Sequence, residues 1–247
     1  MPNVKILPDA YSLAKEAARY FIQIAAQAIE TRGIFTVSLA GGSTPNQMYE
    51  VLAAQQFEQK IDWTRVYFFW GDERCVPPDH PDSNYRKAKE ALLDHIPVPA
   101  DHVHRIPAEH PPIQAAEIYE EILLNFFSSL PGEEERQQAG FDLTLLGMGD
   151  DGHTASLFPG TPAIDEHTRW VKAQYIDKMS AWRVTLTPAI LNRSRNVIFL
   201  VSGQSKSYTL PRVIYGTYQP DRYPAQAIKP LNGDPLWLVD EAAATYF

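Results

Sequence analysis

The residues with the clearest chemical potential lie in the segment GMGDDGHTASLF, residues 147–158, which directly follows an apolar run. Asp151 precedes His153 by two positions, with a glycine between them. A carboxylate beside an imidazole fixes the tautomer of the ring and stabilises its protonated form, which suits a general base. The Asp-x-His spacing favours Asp151 over Asp150 as the partner. The segment therefore predicts a catalytic His153 that Asp151 orients.

The first six residues of the same segment also match G-x-G-x-x-G, the glycine pattern of a dinucleotide-binding turn. The context contradicts that interpretation. Asp150 and Asp151 occupy the variable positions, where they would repel a pyrophosphate. Pro159 and Gly160 limit any following helix to two turns or fewer, and the next acidic residues, 165–166, do not follow a strand pattern. We interpret the segment as a loop that presents a base.

A second segment, SLAGGSTP at residues 38–45, has the composition of an anion-binding loop. Gly41 and Gly42 allow a close backbone approach, and Ser43 and Thr44 add hydroxyl donors where a helix begins. The GK[ST] ending of a nucleoside-triphosphate loop is missing. The alternative for this pattern alone is a tight turn with a Ser or Thr helix cap.

Further charged side chains follow predicted strands. Asp72 and Arg74 come after the run RVYFFW, and an arginine there can hold phosphate with two parallel hydrogen bonds. Arg183 and Lys206 also lie near predicted strand ends. Taken singly, Asp72 and Arg74 fit a surface ion pair better than a binding site, and Arg183 and Lys206 fit solvated cations better. Because ligands bind outside the carboxyl ends of parallel strands, we expect these residues to face one crevice.

The elements that would position these residues alternate along the chain. Helical spacing predicts helices over 10–32, 46–53, 85–93, 113–130, 204–215 and after residue 240. Asp9 and Gly33 fit the N-terminal and C-terminal caps of the first of these helices. Apolar runs predict strands over 34–40, 65–70, 141–146, 183–187, 195–203 and 235–239. These strands do not alternate polar and apolar residues, which indicates a mostly parallel sheet with helices on both faces. We expect one α/β domain over residues 1–247.

Composition excludes several classes of protein. Of 247 residues, 45% are hydrophobic, enough for a folded core, and the net charge of −8 disfavours a nucleic-acid binder. Cys75 is the single cysteine, so no internal disulfide or cysteine-based metal cluster can form, as is typical of the cytoplasm. No apolar run is long enough for a membrane span, and no signal-peptide pattern is present. The histidines show no metal-ligand spacing.

Together the quoted loops resemble the 6-phosphogluconolactonase family. The resemblance rests on SLAGGSTP, WGDERCVPPDHPDSNY, FDLTLLGMGDDGHTASLFPGTP, RVTLT and SGQSK, in this order over residues 38–206. It implies a modified Rossmann-like sheet shared with the glucosamine-6-phosphate deaminases. It also implies hydrolysis of 6-phospho-D-glucono-1,5-lactone to 6-phosphogluconate in the pentose phosphate pathway, with no metal or organic cofactor. A small-molecule lactone is then the partner, and a monomer is compatible with this function.

The resemblance also implies a role for each candidate residue. His153 would activate a water molecule and Asp151 would orient it. Arg74 would add positive charge and Asp72 would contact sugar hydroxyls. The residues expected to hold the 6-phosphate are Gly41, Gly42, Ser43, Thr44, Arg183 and Lys206.

Two other functions occur on the same fold, and the sequence disfavours both. A glucosamine-6-phosphate deaminase would carry a glutamate five residues after the histidine, whereas this chain has Phe158 there. A phenylalanine cannot relay charge, so deaminase chemistry is disfavoured. A sugar-phosphate-binding regulator of the same fold would usually add a DNA-binding helix-turn-helix segment, and the 247 residues leave no basic stretch for one.

Overall fold

The computed structural model describes residues 2–54, 57 and 60–247, apart from the side chains of residues 134 and 135. Within these residues the strands are β1 (Asn3–Leu7), β2 (Phe35–Leu39), β3 (Val66–Trp70), β4 (Asp72–Arg74), β5 (Leu143–Gly147), β6 (Val171–Ile176), β7 (Ala181–Leu186), β8 (Val197–Val201) and β9 (Leu236–Asp240). The α-helices of the same residues are α1 (Ala10–Arg32), α2 (Ser43–Ala53), α3 (Asn84–Ala91), α4 (Pro112–Ser129), α5 (Glu133–Gln137), α6 (Pro188–Leu191) and α7 (Leu210–Tyr215).

Six strands form one sheet in the order β1-β9-β8-β5-β2-β3, and every neighbouring pair is parallel. The predicted mostly parallel α/β sheet is therefore confirmed. The carboxyl ends of β2, β5 and β8, at the centre of this sheet, lead into the loops from which chemistry was predicted. This is the edge at which open parallel sheets bind ligands.

The two faces of the sheet carry different helices. Phe68 of β3 stacks on Trp63 with ring centroids 6.2 Å apart, and Trp63 in turn contacts Phe21 of α1. The next strand residue, Phe69, stacks on Phe127 of α4 at 6.3 Å. Because successive strand residues point to opposite faces, α1 and α4 cover opposite faces of the sheet.

Helix α1 has the predicted bounds and both predicted caps. The Asp9 side chain accepts a hydrogen bond from the Ser12 amide at 2.7 Å, and Gly33 adopts a left-handed conformation with φ 80°. The Gly33 amide donates to the Ile29 carbonyl at 3.0 Å. These caps satisfy backbone groups at the two ends, where the helix leaves them without an internal partner.

A second, antiparallel sheet in the order β4-β7-β6 lies beside the first and was not predicted. It incorporates the predicted strand 183–187, which therefore does not belong to the parallel sheet. In this sheet Arg74 of β4 is the direct cross-strand partner of Arg183 of β7. Arg183 thus lies in the middle of a strand, so its predicted place near a strand end is wrong.

Two predicted helices differ from the structure. Residues 204–215 divide into a short 3-10 turn, Gln204–Lys206, and α7, because Pro211 fits only the first turn of a helix. The predicted helix after residue 240 is wrong: residues 241–246 form turns. Asp240 accepts a hydrogen bond from the Ala243 amide there, at 2.8 Å.

Among the described residues, the helices are all too short or too polar to cross a membrane.

Candidate active site

The predicted site residues meet at one cleft of about 280 Å³. The loops after β2, β5 and β8 form it together with β4 and β7 of the small sheet. All predicted site residues except Asp151 line the cleft: Gly41, Gly42, Ser43, Thr44, Asp72, Arg74, His153, Arg183 and Lys206. Asp151 contacts His153 but does not itself line the cleft.

The loop after β5 turns tightly around His153. The Gly149 amide donates to the His153 carbonyl at 2.8 Å, and the Thr154 hydroxyl donates to the Gly147 carbonyl at 2.8 Å. Gly152 adopts φ +83°, a conformation that favours glycine. A Cβ on Gly149 would lie 2.1 Å from Nδ1 of His153, so only glycine leaves room for the imidazole. The glycines of this segment therefore leave space for the His153 ring and allow the tight turn around it.

Asp151 and His153 form a hydrogen-bonded pair, which we call the catalytic pair after the role predicted for it from the sequence. Nδ1 of His153 lies 2.5 Å from Oδ1 of Asp151, and the His153 amide donates to the same oxygen at 3.2 Å. An ionised carboxylate can only accept, so Nδ1 carries the hydrogen and Nε2 keeps its lone pair. The ring also stacks on buried Phe158, with centroids 4.0 Å apart. The geometry fixes both the tautomer and the plane of the imidazole.

Neighbouring hydrogen-bond donors stabilise the ionised form of Asp151. Partial burial raises the pKa of Asp151, but the hydrogen bonds from His153 and from Lys178 outweigh it and hold the pKa well below its usual range. Lys178 reaches Oδ2 of Asp151 with its Nζ at 3.2 Å. Sequence reasoning missed Lys178, because it stands 27 residues away in the turn between β6 and β7.

The loop after β2 leads into α2 with an open helix end. Gly42 adopts φ +109° before the helix, and no side chain in the described part of the chain caps this end. Ser43 is the first helical residue, and the free amides of a first turn carry partial positive charge. Behind it, the Tyr49 hydroxyl accepts from the Ala40 amide at 3.0 Å and donates to the Ala40 carbonyl at 2.8 Å. The loop is therefore held in a form that can accept an anion.

Arg74, Arg183 and Lys206, which we call the cationic residues, line the same cleft. Within the described residues, no salt bridge includes any of the three. The guanidinium of Arg74 donates to the Asp82 carbonyl, at 2.6 Å. Partial burial, and then the neighbouring charge of Arg74, lower the pKa of Arg183. Cations without carboxylate partners in one cleft are suited to an anionic ligand.

Asp72 is buried in the wall of the cleft and already holds two hydrogen bonds. Its Oδ2 accepts from the Ser156 hydroxyl at 2.6 Å, and its Oδ1 accepts from Nδ2 of Asn84 at 3.2 Å. A Cβ on Gly41 would lie 2.0 Å from Oδ1 of Asn84, so the wall packs directly on the glycine loop. Asn84 and Ser156 also line the cleft, and sequence reasoning missed both.

Glu73, between the two predicted site residues of β4, anchors helix α3. Its carboxylate accepts from the Asn84 and Tyr85 amides at 2.7 and 2.9 Å and from the Ser83 hydroxyl at 3.0 Å. Burial raises the pKa of Glu73, and the backbone hydrogen bonds oppose that rise. The segment 81–86 thereby shapes the wall of the cleft.

In the part of the chain that the structure describes, His, Cys, Asp and Glu side chains do not gather into a group that could hold a metal ion. The metal-free reaction remains a prediction.

Comparison with known proteins gives a consistent result. The model of the family "Glucosamine-6-phosphate isomerases/6-phosphogluconolactonase" matches residues 8–237. A 6-phosphogluconolactonase of Nostoc sp. is 41% identical over 243 residues, which cover 98% of this chain and 96% of that protein. One from Synechocystis sp. is also 41% identical, over 98% of this chain and 97% of its own length.

Among solved structures, the 6-phosphogluconolactonase from Trypanosoma cruzi superposes with a TM-score of 0.86 at 29% identity, covering 100% of this chain and 97% of the other. Sequence and fold agree over nearly the whole length. The chain belongs to the glucosamine-6-phosphate isomerase/6-phosphogluconolactonase family.

Proposed function

We propose that this chain hydrolyses 6-phospho-D-glucono-1,5-lactone to 6-phosphogluconate, the lactonase step of the pentose phosphate pathway, with His153 as the base that activates water. Relatives that are 41% identical over almost the full length carry the name 6-phosphogluconolactonase. The observation that carries the proposed mechanism is the 2.5 Å contact between Asp151 and Nδ1 of His153, in a cleft that also holds the cationic residues.

The chemical step needs one base. Nε2 of His153 takes a proton from water as the oxygen attacks the lactone carbonyl carbon, and Asp151 stabilises the imidazolium that results. The tetrahedral intermediate then collapses with cleavage of the bond between that carbon and the ring oxygen. The imidazolium returns its proton to the ring oxygen, so that one water is added across the ester bond.

The cationic residues and the open end of α2 supply the binding energy. The 6-phosphate is a dianion, and Arg183, Lys206 and Ser43 line the cleft with donors for it. The backbone of Gly41 and Gly42 completes this anion site, and Arg74 adds charge beside Arg183. Binding energy from the phosphate, remote from the reacting carbon, places the carbonyl against the base.

Phe158 opposes the deaminase alternative. It packs flat against the His153 ring at 4.0 Å, at the position where a deaminase of this family would need a carboxylate. The face of the imidazole is thus covered by an apolar ring that neither takes up nor releases a proton.

We further propose that residues 1–247 act as one domain and that a monomer carries out the reaction. One continuous cluster of buried hydrophobic residues supports the single domain. The single cysteine supports a cytoplasmic location.

The direct test is a rate. Purified protein is added to freshly generated 6-phosphogluconolactone, and acid release is followed against spontaneous hydrolysis. We expect a rate far above the background. A well-folded protein that leaves the background rate unchanged would contradict the proposed function.

A further inference from the structure

The tip of the β6–β7 hairpin reaches from the small sheet to the catalytic loop. Residues Asp177–Met179 form a 3-10 turn, and Ser180 closes it in a left-handed conformation. Met179 lines the cleft, and its neighbour Lys178 contacts Asp151. The hairpin therefore touches the catalytic pair from outside the loop that carries it.

The contacts of Asp151 are divided between its two oxygens. Oδ1 accepts both hydrogen bonds from His153. Oδ2 accepts from Nζ of Lys178 at 3.2 Å, and within the described residues no other donor reaches this oxygen. Rotation of the carboxylate away from the imidazole would therefore break the ion pair with Lys178.

We propose that Lys178 is a positioning residue of the lactonase reaction: it holds Asp151 so that Oδ1 faces Nδ1 of His153. This inference rests on the proposed role of His153 as the base. Lys178 has no place in the family resemblance described above, and it acts on the reaction only through Asp151.

The positive charge of Lys178 has a second, opposing effect. It partly offsets the charge of Asp151 and so disfavours the imidazolium form of His153. The other charges around His153 are Asp150 on its own loop and Asp72, Arg74, Arg183 and Lys206 across the cleft lining. All of these stay in place when Lys178 alone is replaced. Removing Lys178 therefore lets the charge of Asp151 act on the imidazolium without this offset.

The simplest alternative is that the surface ion pair between Lys178 and Asp151 has no effect on the reaction. The Lys178 side chain is 68% exposed, and exposed pairs often contribute almost nothing. The same strand region offers a matched control: Lys172 of β6 pairs with Glu166 at 2.8 Å and does not line the cleft. Lys172→Met removes a comparable ion pair from the same hairpin.

The test compares Lys178→Met, Lys178→Arg and Lys172→Met by kcat, KM and the pH dependence of kcat/KM, after circular dichroism has shown that each is folded. For Lys178→Met we expect kcat to fall about three- to fivefold, the size expected of an ion pair at this exposure. KM stays unchanged, and the acidic limb of the pH profile moves up by roughly half a pH unit. Lys178→Arg restores both values, and Lys172→Met changes neither.

Three outcomes would overturn the inference. If Lys178→Met behaves like Lys172→Met, the ion pair with Asp151 does not affect the reaction. If KM alone rises, Lys178 contacts the substrate. If kcat falls while the acidic limb of the pH profile stays fixed, Lys178 does not act through the charge of Asp151. A wild-type profile without any acidic limb is a different failure, because it contradicts His153 as the base and with it the proposed mechanism.

Discussion

The catalytic pair and the cationic residues share one cleft but differ in how their charges are satisfied. Asp151 and His153 are hydrogen-bonded to each other, and Lys178 donates to the second carboxylate oxygen of Asp151. Arg74, Arg183 and Lys206 line the same cleft without a carboxylate partner in the described residues. In the proposed mechanism this difference separates two tasks: groups that perform the proton transfer are oriented in advance, whereas groups that bind the dianion keep their donors available for it.

The largest expected effect breaks the catalytic pair. His153→Ala should lower kcat by about 10²- to 10⁴-fold, the usual contribution of a general base, and leave binding of 6-phosphogluconate largely intact. Steady-state kinetics and calorimetric titration with the product measure the two quantities. His167→Ala, at an exposed histidine outside the cleft, is the matched control. A kcat within about threefold of wild type would show that His153 is not the base.

The second effect concerns the cationic residues. Arg183→Met keeps the apolar stem and removes the charge, so KM should rise about 10- to 100-fold, the cost of losing one or two hydrogen bonds to a charged group. Arg183→Lys keeps the charge without the planar guanidinium group, so its KM should lie between those of wild type and Arg183→Met. A change confined to kcat would place Arg183 in the chemical step.

The same substitution also tests whether these cations are kept unpaired at a cost in stability. Arg74 and Arg183 face each other directly across two strands, and opposed like charges destabilise a sheet. The free energy of unfolding of Arg183→Met should equal that of wild type or exceed it by about 0.5 kcal/mol. Urea denaturation measures it, and a clear loss of stability would contradict the comparison.

The smallest effect is a pH dependence of stability that belongs to the catalytic pair. The pKa of Asp151 is lower in the folded protein than its ordinary value of 3.8, so its contribution is present above that pH and is lost as the pH falls towards the folded value. The difference in melting temperature between wild type and Asp151→Asn should shrink as the pH falls below about 4. A difference in melting temperature that does not depend on pH would show that the charge of Asp151 does not contribute to stability.

Some parts of the site could be predicted because their signals are local. The Asp-x-His spacing needs only a turn to bring Asp151 to His153, and the caps of α1 stand immediately beside the helix. The orientation of the parallel sheet followed from strands buried on both faces, such as β2 and β8. In each case the decisive residues are adjacent in sequence.

The parts that escaped prediction depend on long-range contacts. Asn84 and Ser156 meet on Asp72 from segments 72 residues apart, and Lys178 reaches Asp151 from the turn between β6 and β7. Strand β4 has only three residues and β6 is partly exposed, so neither gives a clear apolar pattern. The helix predicted after residue 240 fails because Asp240 caps turns instead.

The register of the small sheet sets a limit on how this chain can change. One hairpin carries both Lys178 at its tip and Arg183 two residues into β7. Pairing with β4 and β6 holds Arg183 in register, so one residue inserted at the tip would lengthen the turn and move Lys178 off Asp151 while Arg183 stays in place. The length of this hairpin is therefore expected to be fixed among lactonases that keep both residues, however freely the exposed positions 175 and 182 vary.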